Sequence, residues 1–161
     1  MVEHSKILII YGYHPKEIFA IRVGESVLKE FLTPFVKVVE YAGKQDEKST
    51  CHLRHFIAKF GPLILPIVLH SDENFDIKIA DINANAVIIY YARSMQEKEK
   101  ILKFLFDFIF RYNKSRVSVI FDIVLTRNAK HSLVEIEFNP KMELKKAVKL
   151  VEDFSKYVPN I

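Results

Sequence analysis

The feature that most constrains this chain is an alternation of short, continuous apolar runs with longer segments of helical period. Residues 6–13 (KILIIYGY) are almost wholly apolar, rich in β-branched side chains and too short for a buried helix, which predicts a strand covered on both faces. From Pro15 the apolar residues recur at helical spacing, which predicts a helix that ends near Pro34. Continued to the C-terminus, the alternation predicts an α/β fold with three layers and a mixed, mostly parallel sheet.

The remaining elements follow from the same periodicity. Further strands are predicted at residues 35–42, 63–69, 86–92, 117–126 and 133–138, and helices at residues 95–112 and 142–158. Residues 49–62 are predicted to form a short helix or an ordered loop. Ser94 is predicted to cap the helix that follows it, and residues 127–131 to close an antiparallel hairpin. Pro66 predicts that its strand is irregular or lies at an edge. No linker interrupts the pattern, so residues 1–161 are predicted to form one domain.

Length and composition limit the function classes. A chain of 161 residues can bury a full core without disulfides or a structural metal, so a bound metal would be expected to serve chemistry. The one cysteine, Cys51, and the lack of an apolar leader predict a cytoplasmic protein. No apolar run approaches the ~20 residues of a membrane span. Many Ile and Lys residues and only four Gly are typical of heat-adapted proteins.

The basic charge does not predict a nucleic-acid partner. The 24 Lys and Arg residues exceed the 20 Asp and Glu residues by four, but they are spread over helices that also carry acids, as in residues 97–100 (EKEK). We find no clustered basic patch of the kind that binds phosphates. The predicted partner is therefore a small-molecule or peptide substrate, and a homo-oligomeric state is left open.

Three segments place metal-binding or acid-base groups at predicted strand ends. His14 and Glu17 form an H-x-x-E sequence after the first strand, and His70 follows the third. Two histidines and one glutamate with a free fourth position are typical of catalytic zinc sites. Glu135 and Glu137 alternate along the last strand, where either could act as a general base. Each residue also has a plainer interpretation: a helix N-terminal carboxylate, a loop histidine and a solvated strand face.

Taken in order, these residues resemble the zinc carboxypeptidases, and more closely their succinylglutamate desuccinylase and aspartoacylase relatives, in a minimal form. The resemblance implies that His14, Glu17 and His70 bind zinc. It also implies that a late glutamate activates the water that attacks an amide. Glu137, in the sequence IEFNP, matches the family context better than Glu135, although both stay candidates.

The resemblance also implies an arginine that binds a substrate carboxylate. Arg54 is the best-placed candidate, with Arg22 and Arg93 behind it. The chain lacks the Asp expected before His70 and a clear Asn-Arg pair. We therefore predict a zinc-dependent amide hydrolase, with a binding or assembly protein that keeps the fold without turnover as the alternative.

Other motifs are weaker. Cys51 with His52 and His55 could provide a thiol and a base, and the two histidines could share a metal. Glycine-rich nucleotide-binding motifs and G-x-S-x-G are absent from the sequence. Four phenylalanines of one predicted helix are interpreted as facing the core: Phe104, Phe106, Phe108 and Phe110.

Overall fold

The fold is taken from a computed structural model. The residues that it describes are 6–31, 33–41, 50–61, 64–72, 75, 84–115, 117–126, 129 and 131–158. In chain order its elements are β1 (Ile7–Tyr11), α1 (Ile18–Glu30), β2 (Val36–Glu40), α2 (Thr50–Ala58), β3 (Leu65–Ser71), β4 (Ala86–Ala92), α3 (Met95–Tyr112), β5 (Val119–Leu125), β6 (Leu133–Phe138) and α4 (Leu144–Tyr157). A short 3-10 turn, Asn113–Ser115, follows α3.

The six strands form one mixed sheet in the order β2-β1-β3-β6-β4-β5. Strands β2, β1, β3 and β6 are parallel, whereas β4 pairs antiparallel with β6 and parallel with β5. This confirms the predicted α/β fold with a mostly parallel sheet. Because β1, β3 and β6 run in one direction, their carboxyl ends meet at the same edge of the sheet, which is where open α/β folds bind ligands.

Helices cover both faces of the sheet, which gives the predicted three layers. The main core lies beneath α1, α3 and α4, where strand side chains such as Ile9, Leu69 and Ile136 are fully buried. The opposite face is covered by α2 through Leu53 and Ile57. Among the described residues, no helix combines the length and the apolarity that a membrane crossing requires.

The predicted hairpin between the last two strands is wrong. Strand β4 lies between β5 and β6, so that Val87 is opposite Ile120 on one side and Glu137 on the other. An outer hairpin strand would have one neighbour, whereas β6 has two and buries Val134 and Ile136 completely. A turn-forming sequence cannot distinguish a tight hairpin from a connection that passes over one intervening strand.

Of the two positions predicted for Pro66, irregular or at an edge, the edge is wrong, because β3 lies between β1 and β6. Leu65 donates its N–H to the Lys6 carbonyl on the β1 side at 2.9 Å. The pairing of β3 with β6 begins only at Ile67. The N–H that proline lacks therefore precedes that ladder, and a central strand accommodates Pro66 without a lost hydrogen bond.

Helix α3 confirms one prediction and corrects another. Ser94 caps it by accepting a hydrogen bond from the Glu97 N–H at 3.2 Å. Phe108 is buried and Phe104 packs on the core, but Phe106 and Phe110 are 61% and 66% exposed. Residues two apart on a helix lie about 200° apart, so the four rings cannot share one face.

Helix α1 approaches β1 unusually closely at Gly24. A Cβ at this position would overlap the Cβ and Cγ atoms of Tyr11, whose side chain is buried. The overlap involves the base of the Tyr11 side chain, which cannot swing away without a backbone shift. Gly24 therefore sets the distance between α1 and the sheet.

We expect Gly24→Ala to lower the free energy of unfolding by about 1–3 kcal/mol, because overpacking outweighs the gain in helix propensity. Glu25→Ala is the control, since it adds the same residue type at the next, exposed position of α1. Thermal unfolding of both variants checks this. A Gly24→Ala protein as stable as Glu25→Ala would contradict the close approach.

Candidate metal centre

The H-x-x-E sequence forms a turn between β1 and α1. Gly12, with a φ of 77°, redirects the chain after β1. The Glu17 N–H then donates to the His14 carbonyl at 3.2 Å, which closes a four-residue turn with Pro15 at its favoured second position. The helix starts at Ile18 and not at Pro15 as predicted. The turn folds the His14 and Glu17 segments back on each other, beside the end of β3.

Glu17 is the N-cap residue of α1, yet its side chain makes no capping hydrogen bond. Its Oε2 lies 3.3 Å from Nδ1 of His70. The Glu17 carboxylate thus contacts His70 and does not cap the first N–H groups of its own helix. His70 lies inside β3 and not in the loop after it, because β3 extends to Ser71.

His14, Glu17 and His70 form one cluster. Each offers a ligand atom, and the three atoms lie within 4.8 Å of one another. The two imidazole rings have their centroids 5.6 Å apart. All three side chains are partly buried, so the structure brings together the three residues that the sequence predicted as metal ligands.

The state of His70 fits a metal ligand. Its Nε2 is buried without a hydrogen-bond partner, and Oε1 of Glu135 is 3.8 Å away. That separation is too long for a hydrogen bond, and unpaired buried polar atoms are rare in native proteins. Two imidazoles and a carboxylate are also a donor set that zinc prefers.

The charge around His70 is strongly negative. Burial lowers the pKa of His70, but the hydrogen bond to Glu17 and the negative charges of Glu135, Glu17 and Glu137 outweigh it and raise the pKa above its ordinary value. The surroundings thus favour a positive charge at this position. A divalent cation would supply that charge in place of a proton.

The two glutamates of β6 lie on the same sheet face as His70. Glu137 is opposite His70 in the β3–β6 register, and Glu135 is opposite Val68. Glu135 accepts a hydrogen bond from the Tyr91 hydroxyl at 3.3 Å on Oε2, while Oε1 is turned towards His70. A fully solvated strand face does not describe Glu135, whose side chain is 27% exposed.

Tyr91 was not among the predicted site residues. It lies on the apolar strand β4 (AVIIYYA), and it reaches Glu135 only because β4 pairs with β6. The incorrect hairpin placed β5 beside β6 and thereby removed Tyr91 from consideration. Burial and the charge of Glu135 raise the pKa of Tyr91 to about 12, so its hydroxyl stays a proton donor at neutral pH.

The predicted substrate-binding arginines are exposed, or paired away from the cluster. The side chains of Arg54 on α2 and Arg22 on α1 are exposed, and none of the ion pairs recorded in the described part of the chain joins Arg54 to the cluster. Arg93 pairs with Glu97 at 3.4 Å. This pair lies at the other edge of the sheet, because β4 runs opposite to β3.

Of the weaker candidates, the described side chains include only that of His55. His55 is exposed on α2. The side chains of Cys51 and His52 lie outside the described residues, and with them the predicted thiol site and the predicted His52–His55 metal pair. Among the described residues, the one group of three potential ligands with donor atoms close enough to share an ion is His14, Glu17 and His70.

Comparisons with known proteins support the fold. No protein-family model matches this chain, and no curated protein matches its sequence. A "putative metallopeptidase" from Shewanella denitrificans OS217 is similar in structure, with a TM-score of 0.51 and 12% identity over 97% of this chain and 76% of that one. The catalytic domain of CwlV, an N-acetylmuramoyl-L-alanine amidase from Bacillus (Paenibacillus) polymyxa var. colistinus, has a TM-score of 0.48 and 12% identity, with 96% and 97% covered. The Shewanella protein thus shares the α/β fold of this chain.

Proposed function

We propose that this protein is a zinc-dependent hydrolase that cleaves an amide bond of a small carboxylate-bearing substrate. The substrate would be an N-acyl amino acid or a peptide C-terminus. The observation that carries the proposal is the cluster of His14, Glu17 and His70, in which a buried Nε2 of His70 has no hydrogen-bond partner. The fold shared with the Shewanella protein agrees with a hydrolase.

His14, Glu17 and His70 would hold the zinc ion. When bound there, zinc supplies Lewis-acid polarisation of a carbonyl and makes water nucleophilic at neutral pH. The ordering of the three side chains before binding, through the His14–Glu17 turn and the Glu17–His70 contact, favours one ion at this position.

Glu135 is the proposed general base. Its Oε1 faces the cluster at 3.8 Å from His70, and its Oε2 is held by the Tyr91 hydroxyl. A carboxylate fixed in this way can accept the proton of the attacking water and pass it to the leaving amine. By sequence, Glu137 fits the family context better. The contacts of Glu135 with Tyr91 and towards His70 nevertheless support Glu135 as the general base.

More specifically, the protein is proposed to be a minimal relative of the succinylglutamate desuccinylases and aspartoacylases. It is also proposed to work in the cytoplasm. The single cysteine, Cys51, agrees with a reducing compartment. Arg54 is proposed to bind the substrate carboxylate, because an exposed guanidinium can form a paired hydrogen bond with it.

A binding or assembly protein without turnover is the second candidate. The observation in its favour is that the sequence lacks the Asp expected before His70 and a clear Asn-Arg pair for a substrate carboxylate. Such a protein would retain the metal without hydrolysing amides.

We expect the protein purified without chelators to contain about one zinc ion per chain. His14→Ala should lose most of this zinc, because it removes one of three protein ligands. His55→Ala is the matched control, since this histidine is exposed on α2 and should keep the wild-type content. Elemental analysis of the three proteins checks this. Wild type without stoichiometric metal, or His14→Ala with full zinc, would contradict the proposal.

Glu135→Gln is expected to lower the rate of amide hydrolysis by about 10²–10⁴-fold while the zinc content is unchanged. The comparison is Glu137→Gln, which makes the same change two residues along β6. The readout is amine release from N-acyl amino acids and from peptides with free C-termini. The larger loss in Glu137→Gln would transfer the role of the base to Glu137, and no hydrolysis by the zinc-loaded wild type would favour the second candidate.

The burial of Tyr91 and its contact with Glu135 predict a specific alkaline instability. The folded pKa of Tyr91 is about 12, above the ordinary value of 10.0. The contribution of the neutral Tyr91 hydroxyl to the free energy of unfolding is complete below pH 10 and is lost as the pH rises towards 12. Between about pH 9 and about pH 11 the free energy of unfolding should therefore fall less in Tyr91→Phe than in wild type. Equal pH dependence of the two proteins in denaturant titrations would count against this buried environment of Tyr91.

A further inference from the structure

The N-terminus of α1 is capped in an unusual way. The first backbone N–H groups of a helix lack intrahelical acceptors, and the N-cap side chain commonly accepts one from the second or third helical residue. In α1 the N-cap is Glu17 and the third helical residue is Ala20, yet the Glu17 side chain makes no capping bond. Another group must therefore satisfy the Ala20 N–H.

That group is Ser71, the last residue of β3. The Ala20 N–H donates to Oγ of Ser71 at 3.0 Å, across 51 residues of sequence. The Ser71 side chain is buried, with 4% exposed, so water does not compete for this hydrogen bond. The bond joins the first turn of α1 to the carboxyl end of β3.

This bond acts on two of the three cluster residues. His70 and Ser71 are consecutive on β3, so their side chains lie on opposite faces: Ser71 on the face covered by α1, His70 on the face of the glutamates. Because Ser71 takes the Ala20 N–H, the Glu17 carboxylate is not drawn back to cap its own helix. It lies instead 3.3 Å from Nδ1 of His70.

We propose that Ser71 is a positioning residue for the metal site: by capping α1 from β3 it fixes the helix start against the strand and leaves the Glu17 carboxylate for the metal, an inference that rests on the proposed function. Ser71 itself is not a ligand. It acts through Glu17 and through the spacing between α1 and His70.

The test is Zn²⁺ affinity, measured on metal-free protein by competition with a chromogenic chelator. Ser71→Ala should weaken Zn²⁺ binding about 10-fold, the lower end of the range for direct hydrogen-bond partners of metal ligands, because Ser71 acts on Glu17 indirectly. Ser155→Ala is the control, because Ser155 is equally buried and its hydroxyl donates to the Val151 carbonyl within α4, away from the cluster. It should lower thermal stability without a change in Zn²⁺ affinity.

A coupling measurement separates positioning from a general loss of structure. In a Glu17→Ala background, Ser71→Ala should cause a smaller loss of Zn²⁺ affinity than in wild type, because the route through Glu17 is gone and only the spacing between α1 and His70 remains. Amide hydrogen exchange at Ala20 gives a readout that needs no metal, and it should become faster in Ser71→Ala and stay unchanged in Ser155→Ala.

The outcomes are distinguishable. If Ser71→Ala binds Zn²⁺ as tightly as wild type does, the role of Ser71 is overturned and the metal site still stands. A full additive loss in the Glu17→Ala background would also overturn it. Wild type that binds no Zn²⁺ would overturn the proposed function and this inference together.

Discussion

The position of β3 between β1 and β6, parallel to both, is the constraint on which the rest of the site depends. It carries His70 to the shared carboxyl edge, with the His14–Glu17 turn on one side and the β6 glutamates on the other. Were β6 not beside β3, His70 would lose the neighbouring carboxylates of Glu135 and Glu137. The chemistry of the site is thus a consequence of strand order, because residues far apart in sequence meet only through the sheet.

Around His70 the protein accepts two costs that a purely structural histidine would avoid. One is the burial of an imidazole among three carboxylates, and the other is the unpaired Nε2. Each disfavours folding unless a positive charge or a ligand compensates. Concentrated at the end of a central strand and next to an H-x-x-E turn, they are more readily explained by a bound cation than by packing.

Local chemistry made much of this predictable. The spacing of apolar residues predicts β4 and β6 with the same bounds as in the structure. The role of Ser94 as a helix cap follows from its side-chain chemistry alone. Residue types and order were also sufficient to group His14, Glu17 and His70.

What the sequence could not provide is pairing between distant segments. The hairpin signal at residues 127–131 is local, whereas the insertion of β4 beside β6 is decided by the burial of both edges of β6. Tyr91 and Ser71 were missed for the same reason, since each acts on a residue more than 40 positions away. The exposure of Phe106 and Phe110 is different, because the helical period already required it.

The measurement that tests the central claim most directly is a zinc K-edge X-ray absorption spectrum of the zinc-loaded protein. The structure predicts two imidazole ligands and oxygen donors, with Zn–N distances of about 2.0–2.1 Å and no sulfur. A sulfur ligand at about 2.3 Å would place the zinc at Cys51, and a shell without imidazole scattering would show that His14 and His70 do not hold it.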